Sequence, residues 1–164
     1  GVSRLVMLTG DKEEVGRKVA ESIGITHVFG NLLPGDKVAK VEQLLAEKPE
    51  GKTLAFVGDG INDSPALACA DIGVALGCGT DIAISSADVM IVGSGIEGLK
   101  TVFGISAATM KNVRQNLIWA VIYNVVCIPL AAAGIINPSI AAAAMALSSN
   151  GVLLNALRLK NYDR

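Results

Sequence analysis

The sequence predicts an α/β protein: an open sheet of parallel strands followed by a two-helix membrane hairpin. Short apolar runs alternate with helical patterns over the first two-thirds of the chain, the usual order of strands and covering helices in a parallel sheet. Acid-bearing turns directly follow two of those runs. The stretch Leu117 to Leu157 then holds no Lys, Arg, Asp, Glu or His. Of 164 residues, 51% are hydrophobic but only 4% aromatic, and the apolar excess sits in that last third. The chain therefore has a water-facing regime, 1–110, and an apolar one, 111–164.

RLVML (Arg4 to Leu8) reads as a buried strand that stops at Thr9-Gly10-Asp11. A helix follows over Lys12 to Ile23, with Val15, Val19, Ala20 and Ile23 on one apolar face and Gly24 placed to end it. HVFG (His27 to Gly30) is a short strand, and His27, which has no companion ligand, is a strand-edge residue. Pro34 suits the opening of the next helix, whose Val38, Val41, Leu44 and Leu45 recur at helical spacing. TLAFV, IGVAL (Ile72 to Leu76) and VMIV (Val89 to Val92) are the remaining strands. Short helices are expected at Ser64 to Ala70 and Thr80 to Ser86. From Ile96 to Asn116 a longer helix runs into the apolar part.

That part divides in two. LIWAVIYNVVCIPLAAAGII (Leu117 to Ile136) is long enough to cross a hydrocarbon core as a helix, and SIAAAAMALSSNGVLLNAL (Ser139 to Leu157) follows Asn137-Pro138. Lys111 and Arg114 precede the first run; Arg158, Lys160 and Arg164 follow the second, and the connection carries no positive charge. The positive-inside bias puts both ends in the cytoplasm. A net charge of −1 without a basic stripe argues against nucleic acid as a partner. Cys69, Cys78 and Cys127 lack metal-site or disulfide spacing and read as reduced, packed thiols. No charged-then-apolar leader precedes the first strand, so no signal peptide is expected, and a start on Gly1 reads as a cut piece of something longer.

Chemistry concentrates in VGDGINDSPAL, Val57 to Leu67. Asp59 falls just past the carboxyl end of a parallel strand, where open α/β sheets place ligands. Gly58 and Gly60 allow the sharp turn and a close ligand approach. Acids alone would repel phosphate, but Mg²⁺ reverses that, because a hard cation binds carboxylate oxygens and bridges them to a phosphoryl group. An isolated Asp-Gly pair would more simply be a turn in which Asn62 and Asp63 cap the next helix. Context favours chemistry: Thr9 and Asp11 follow another strand to the same edge, and Lys37 opens a helix from which a cation could meet the same phosphoryl group.

LTGD, PGDK and GDGINDSPAL, followed by ADIGVALGCGTDIA, resemble the phosphorylation domain of P-type ATPases, within the haloacid-dehalogenase superfamily. The resemblance extends through both apolar runs. It implies a partial haloacid-dehalogenase-like Rossmannoid sheet, a Mg²⁺-dependent aspartyl phosphate formed from ATP, and an integral membrane protein with a cytoplasmic phosphorylation domain. It makes Asp59 a Mg²⁺ ligand, sets Thr9 and Lys37 on the phosphoryl group, has Asn62 and Asp63 support that site, and turns Gly10 and Asp11 toward ATP. The family's nucleophile lies in an Asp-Lys-Thr-Gly-Thr motif that this sequence does not contain; Asp36-Lys37 is followed by Val38-Ala39 and does not supply it. The chain is therefore expected to be the C-terminal piece of a pump, inactive alone and lacking the sheet's central strand.

Two membrane helices before a C-terminus resemble the heavy-metal subfamily. Tyr123-Asn124 in the first helix, with Met145 and Ser149 four apart in the second, resemble its copper(I)-transporting group. A thioether is a soft ligand suited to Cu(I), and neither span carries the Lys and Asp usual in zinc and cadmium pumps. Ser148, Asn150 and Asn155 are expected to serve interhelical hydrogen bonding, and Cys127 packing. The implied partners are the lipid bilayer, the N-terminal part of the same pump and a metallochaperone. A zinc, cadmium or cobalt pump, a membrane-anchored phosphatase and a regulatory fragment are the alternatives.

Overall fold

The computed structural model describes residues 2–59, 62–77, 85–93 and 95–161. Gly60, Cys78 and residues 80–84 of the helix expected at Thr80 to Ser86 lie outside the described residues. The chain divides into two compact units, Gly1–Gly98 and Leu99–Arg164.

In the first unit, β1 (Val6–Leu8) pairs in parallel with β2 (His27–Phe29). A second parallel sheet holds β3 (Ala55–Gly58), β4 (Ile72–Leu76) and β5 (Val89–Ile91), with β4 in the middle. Parallel neighbours need a crossover. α1 (Glu13–Ser22) provides it between β1 and β2, and α3 (Ser64–Cys69) between β3 and β4, while α2 (Pro34–Glu47) leads from one sheet to the other. The strands match the apolar runs to within two residues. Among the described residues, β1 and β3 each have a ladder partner on one side only.

The face expected for α1 holds for Ala20 and is corrected for its three larger members. Val15, Val19 and Ile23 are exposed, and Gly16 and Ala20 are the buried positions. A Cβ at Gly16 would stand 2.8 Å from Thr9 Cγ2 and 3.3 Å from Val28 Cγ1. The helix therefore lies too close to β1 and β2 for larger side chains, and the valines are displaced to solvent. In α2 the apolar positions behave as expected: Val41 is buried, and Val38, Leu44 and Leu45 are half-buried. Leu67 and Ala75 pack with Phe56 and Ala87 into the core of the second sheet.

Asp71 ties the base of this unit together, accepting from the Leu54 N–H at 2.7 Å and from Lys48. The backbone hydrogen bond first, and the lysine second, hold its carboxyl below the ordinary 3.8. A depressed folded-state pKa contributes stability that is present above the unfolded value and lost as pH falls through the folded one. Asp71→Asn is accordingly expected to lower the melting point of this unit at neutral pH, with the deficit shrinking as pH drops below 3.8. Circular-dichroism melts at stepped pH check it; a deficit that grows toward acid would contradict the assignment.

The second unit is a helical hairpin. α4 (Gly98–Ala132) merges the expected connecting helix and the first apolar run into one unbroken helix that contains Pro129, and no interruption falls at residue 110. Gly134, with φ +71°, turns the chain. Asn137 then caps α5 (Pro138–Leu157) by accepting the Ser139 N–H at 3.1 Å. Both helices are long and apolar enough to cross a membrane, with mean hydropathy 1.5.

Candidate functional site

The sheet-edge site starts from the way α2 begins. Pro34 occupies its first turn, and the Asp36 carboxylate accepts the Leu33 N–H at 2.9 Å, which fixes the helix start and sets Lys37 in that turn. α2 packs on α3, and Asp63 directly precedes α3. Lys37 Nζ donates to Asp63 Oδ1 at 2.7 Å, with 16% and 13% of the two side chains exposed. Gly58 makes room for this pair: a Cβ there would stand 2.8 Å from Asp63 Oδ2. Lys37 follows β2 and Asp63 follows β3, so their contact directs the carboxyl ends of both sheets to one side.

Thr9, Gly10 and Asp11 form the turn after β1. The Asp11 N–H donates to Thr9 Oγ1 at 3.1 Å, and that hydroxyl donates to Asp11 Oδ2 at 3.3 Å. The loop after β2 is laced onto this turn, Asn31 N–H to the Asp11 carbonyl at 2.7 Å and Leu32 N–H to the Thr9 carbonyl at 3.1 Å. Asn31 adopts φ +54°, a conformation its short polar side chain tolerates. Leu33, next in that loop, is the N-cap of α2. One loop thus connects the Thr9 turn with the helix of Lys37. Asp59 and Asn62 are exposed on the turn between β3 and α3.

This arrangement suits an anion accompanied by a hard cation. An ammonium has three donors, and Asp63 takes one. Asp59 is an exposed carboxylate of the kind Mg²⁺ uses singly or in pairs, completing its shell with phosphate oxygens and water. Among the described residues no three His, Cys, Asp or Glu side chains cluster.

In the hairpin, the buried and half-buried positions include two stripes. Asn112, Asn116, Ala120, Tyr123 and Cys127 line α4; Ala141, Ala144, Ser148, Val152 and Asn155 line α5. Both repeat every three or four residues, as a helix–helix seam does. Tyr123 and Cys127 lie in that seam. Asn124, Met145 and Ser149 are exposed, each one residue past a seam position. In an antiparallel pair, that offset rotates both sets to the same side. Asn112 on α4 meets Asn155 on α5. Asn124 is twelve residues toward the turn from Asn112, and Met145 ten from Asn155, so Asn124 and Met145 share one side at similar height, with Ser149 about one helical turn from Met145 toward Asn155. The Ser149 hydroxyl donates to the Met145 carbonyl at 3.1 Å, leaving its oxygen's lone pairs outward.

Sequence reasoning assigned no role to Asn112, Gln115 and Asn116, although Asn155 was expected to bond between helices and does. The signal available was two asparagines one helical turn apart at the mouth of an apolar run.

The model of the haloacid dehalogenase-like hydrolase family matches residues 1–71. Similar proteins include the probable copper-transporting ATPase PacS of Synechocystis, 48% identical over 95% of this chain and 22% of that protein. A copper-exporting P-type ATPase of Staphylococcus epidermidis is 51% identical over 95% of this chain and 19% of its own length. The chain belongs to the P-type ATPases. Among solved structures, a zinc-transporting PIB-type ATPase in its E2.Pi state aligns with TM-score 0.81 and 36% identity, over 94% of this P-type ATPase chain and 25% of the other. The chain spans about a fifth of the length of the P-type ATPases it matches.

Proposed function

We propose that this chain is the C-terminal portion of an ATP-driven heavy-metal pump that exports Cu(I) through a Mg²⁺-dependent aspartyl-phosphate cycle. The observation that carries the reading is the Lys37–Asp63 pair at the common carboxyl side of two sheets in which, among the described residues, β1 and β3 are edge strands. In this reading a strand N-terminal to the chain lies between them and brings the nucleophilic aspartate. Its carboxylate oxygen bonds to the γ-phosphorus of ATP as the bond to ADP breaks, and water later releases the phosphate. Lys37 and Thr9 hold the oxygens of the transferred group, Asn62 and Asp63 orient Lys37 and the turn, and Gly10 and Asp11 face ATP. Mg²⁺, held through Asp59, would neutralise phosphate charge.

Asn124, Met145 and Ser149, beside Tyr123, then form this hairpin's contribution to the transported metal. The first unit and both ends of the hairpin lie in the cytoplasm, where a metallochaperone delivers Cu(I). The solved zinc-transporting relative supports a second reading, a Zn²⁺ pump. ATP hydrolysis by the complete pump decides between them: stimulation by Cu(I) under reducing conditions supports the first reading, stimulation by Zn²⁺ alone replaces it, and stimulation by neither metal removes both.

An unbroken α4 is the mechanical link in this cycle. Two glycines inserted after Ala107 are expected to leave ATP hydrolysis in place while metal transport falls, since each costs helix stability of about 1 kcal/mol and together they soften the rod. Paired ATPase and vesicle-uptake assays check this; an unchanged ratio of metal moved to ATP spent would refute the link.

A further inference from the structure

Asn112 is a buried polar residue, 8% exposed, and it belongs to a closed ring of side chains. Its Nδ2 donates to the main-chain carbonyl of Asn155 at 2.6 Å. Asn155 Nδ2 donates back to Asn116 Oδ1 at 2.9 Å and reaches Gln115 Oε1 at 3.4 Å. Asn116 Nδ2 donates to Asn112 Oδ1 at 3.0 Å and completes the circuit. Asn112 and Asn116 stand one turn apart on α4. Asn155 lies in the last turn of α5, where its carbonyl accepts the Arg158 N–H, and α4 supplies it with a second donor.

We infer that this ring is the joint through which a movement of α4 is passed to α5 during transport, making Asn112, Asn116 and Asn155 positioning residues for the metal site. The inference rests on the pump reading above. α4 begins at Gly98, where the first unit ends, whereas α5 follows α4 in the chain, after the turn that succeeds Ala132. Met145 and Ser149 stand on α5. Below the ring the seam is made largely of small or apolar side chains such as Ala120 and Ala144, which resist sliding weakly. Hydrogen bonds are directional: turning or shifting α4 alone would break the bonds from Asn112 and Asn155 across the seam. Bonds of this kind between membrane helices are individually modest, so the ring favours the joined state by roughly tenfold, enough to set register and still permit a cycle.

The test uses the complete pump in lipid nanodiscs, with spin labels at the exposed positions Trp119 and Leu147, which lie at matching height on the two helices. The unsubstituted pump is expected to show one narrow label-to-label distance, and Asn112→Leu and Asn155→Leu a broadened one. Both variants should accept phosphate from inorganic phosphate normally and hydrolyse ATP, yet move at least about twofold less metal per ATP, following the roughly tenfold loss of joined helix ends. If the leucine variants fail to accumulate, Asn155→Ala replaces them: it keeps the main-chain carbonyl that accepts from Asn112 but removes the side-chain bonds to Asn116 and Gln115 across the seam. A narrow distance retained in the variants overturns the joint whatever the activity, as does an unchanged transport ratio. Absence of metal-stimulated hydrolysis in the unsubstituted pump would instead defeat the pump reading, while the distance measurement still decides whether the ring clamps the helices.

Discussion

Replacing Lys37 with methionine in the complete pump is expected to slow phosphoenzyme formation from ATP by about 10²- to 10³-fold, the range seen when one preorganised charge-stabilising donor is removed. Methionine keeps much of the aliphatic stem and deletes the ammonium. The variant also leaves Asp63 as a mostly buried carboxylate without its 2.7 Å partner. Breaking one side of such a pair costs roughly 3 kcal/mol, so lost activity could reflect lost folding. The double variant Lys37→Met with Asp63→Leu separates the two. Removing both charges from a well-packed site is close to neutral for stability. It should therefore recover the melting temperature without recovering phosphorylation. Acid-quenched labelling with ATP, beside thermal melts of each variant, measures both quantities. A single variant that phosphorylates at the wild-type rate would remove Lys37 from the site.

That pair also marks how far the sequence could be read. GDGINDSPAL and PGDK named the residues, because acid and lysine types after apolar runs imply chemistry wherever the strands lie. Their contact was not legible. It depends on α2 packing against α3 and on Gly58 leaving room for the Asp63 carboxylate, neither of which leaves a local pattern. The strands themselves were legible because each is a short apolar run ended by Gly or Asp. The split into two sheets was visible only as an expected missing neighbour.

Helix faces were read less well. Val15, Val19, Ala20 and Ile23 have helical spacing, yet of these only Ala20 is buried, and Gly16 joins it on that side. Periodicity reports which residues share a face, and closeness of approach decides which face is covered. In the hairpin the lack of charge revealed two spanning helices, and the helix expected from Ile96 does run into the first of them, starting at Gly98. The asparagine ring was hidden for a related reason. Beside Lys111 and Arg114, Asn112 and Asn116 look like ordinary polar residues at a membrane surface, and only the return of α5 gives them partners.

Met145→Leu is expected to lower Cu(I)-stimulated ATP hydrolysis at least about tenfold at limiting metal, a scale on which even changes beyond the direct ligands move metal affinity. Leucine nearly conserves volume, so packing is disturbed little and the thioether is the main loss. Met145 is 65% exposed in this chain, which leaves its sulfur little packing role here and makes a folding explanation weak. Ser149→Ala should have a smaller effect, since its hydroxyl already donates to the Met145 carbonyl and only its oxygen faces outward. Phosphorylation by inorganic phosphate, which in the proposed cycle uses Lys37 and Asp59 but not the transported metal, should survive both changes. The soft sulfur also separates the two metals. A zinc pump would lose little Zn²⁺ stimulation with leucine at this position, because a thioether is a poor partner for a harder ion. Full Cu(I) stimulation in Met145→Leu would place the copper site elsewhere and leave Met145 as a packing residue. Loss of Cu(I) stimulation with phosphorylation intact would assign this side of the hairpin, Asn124, Met145 and Ser149 together, to the metal path.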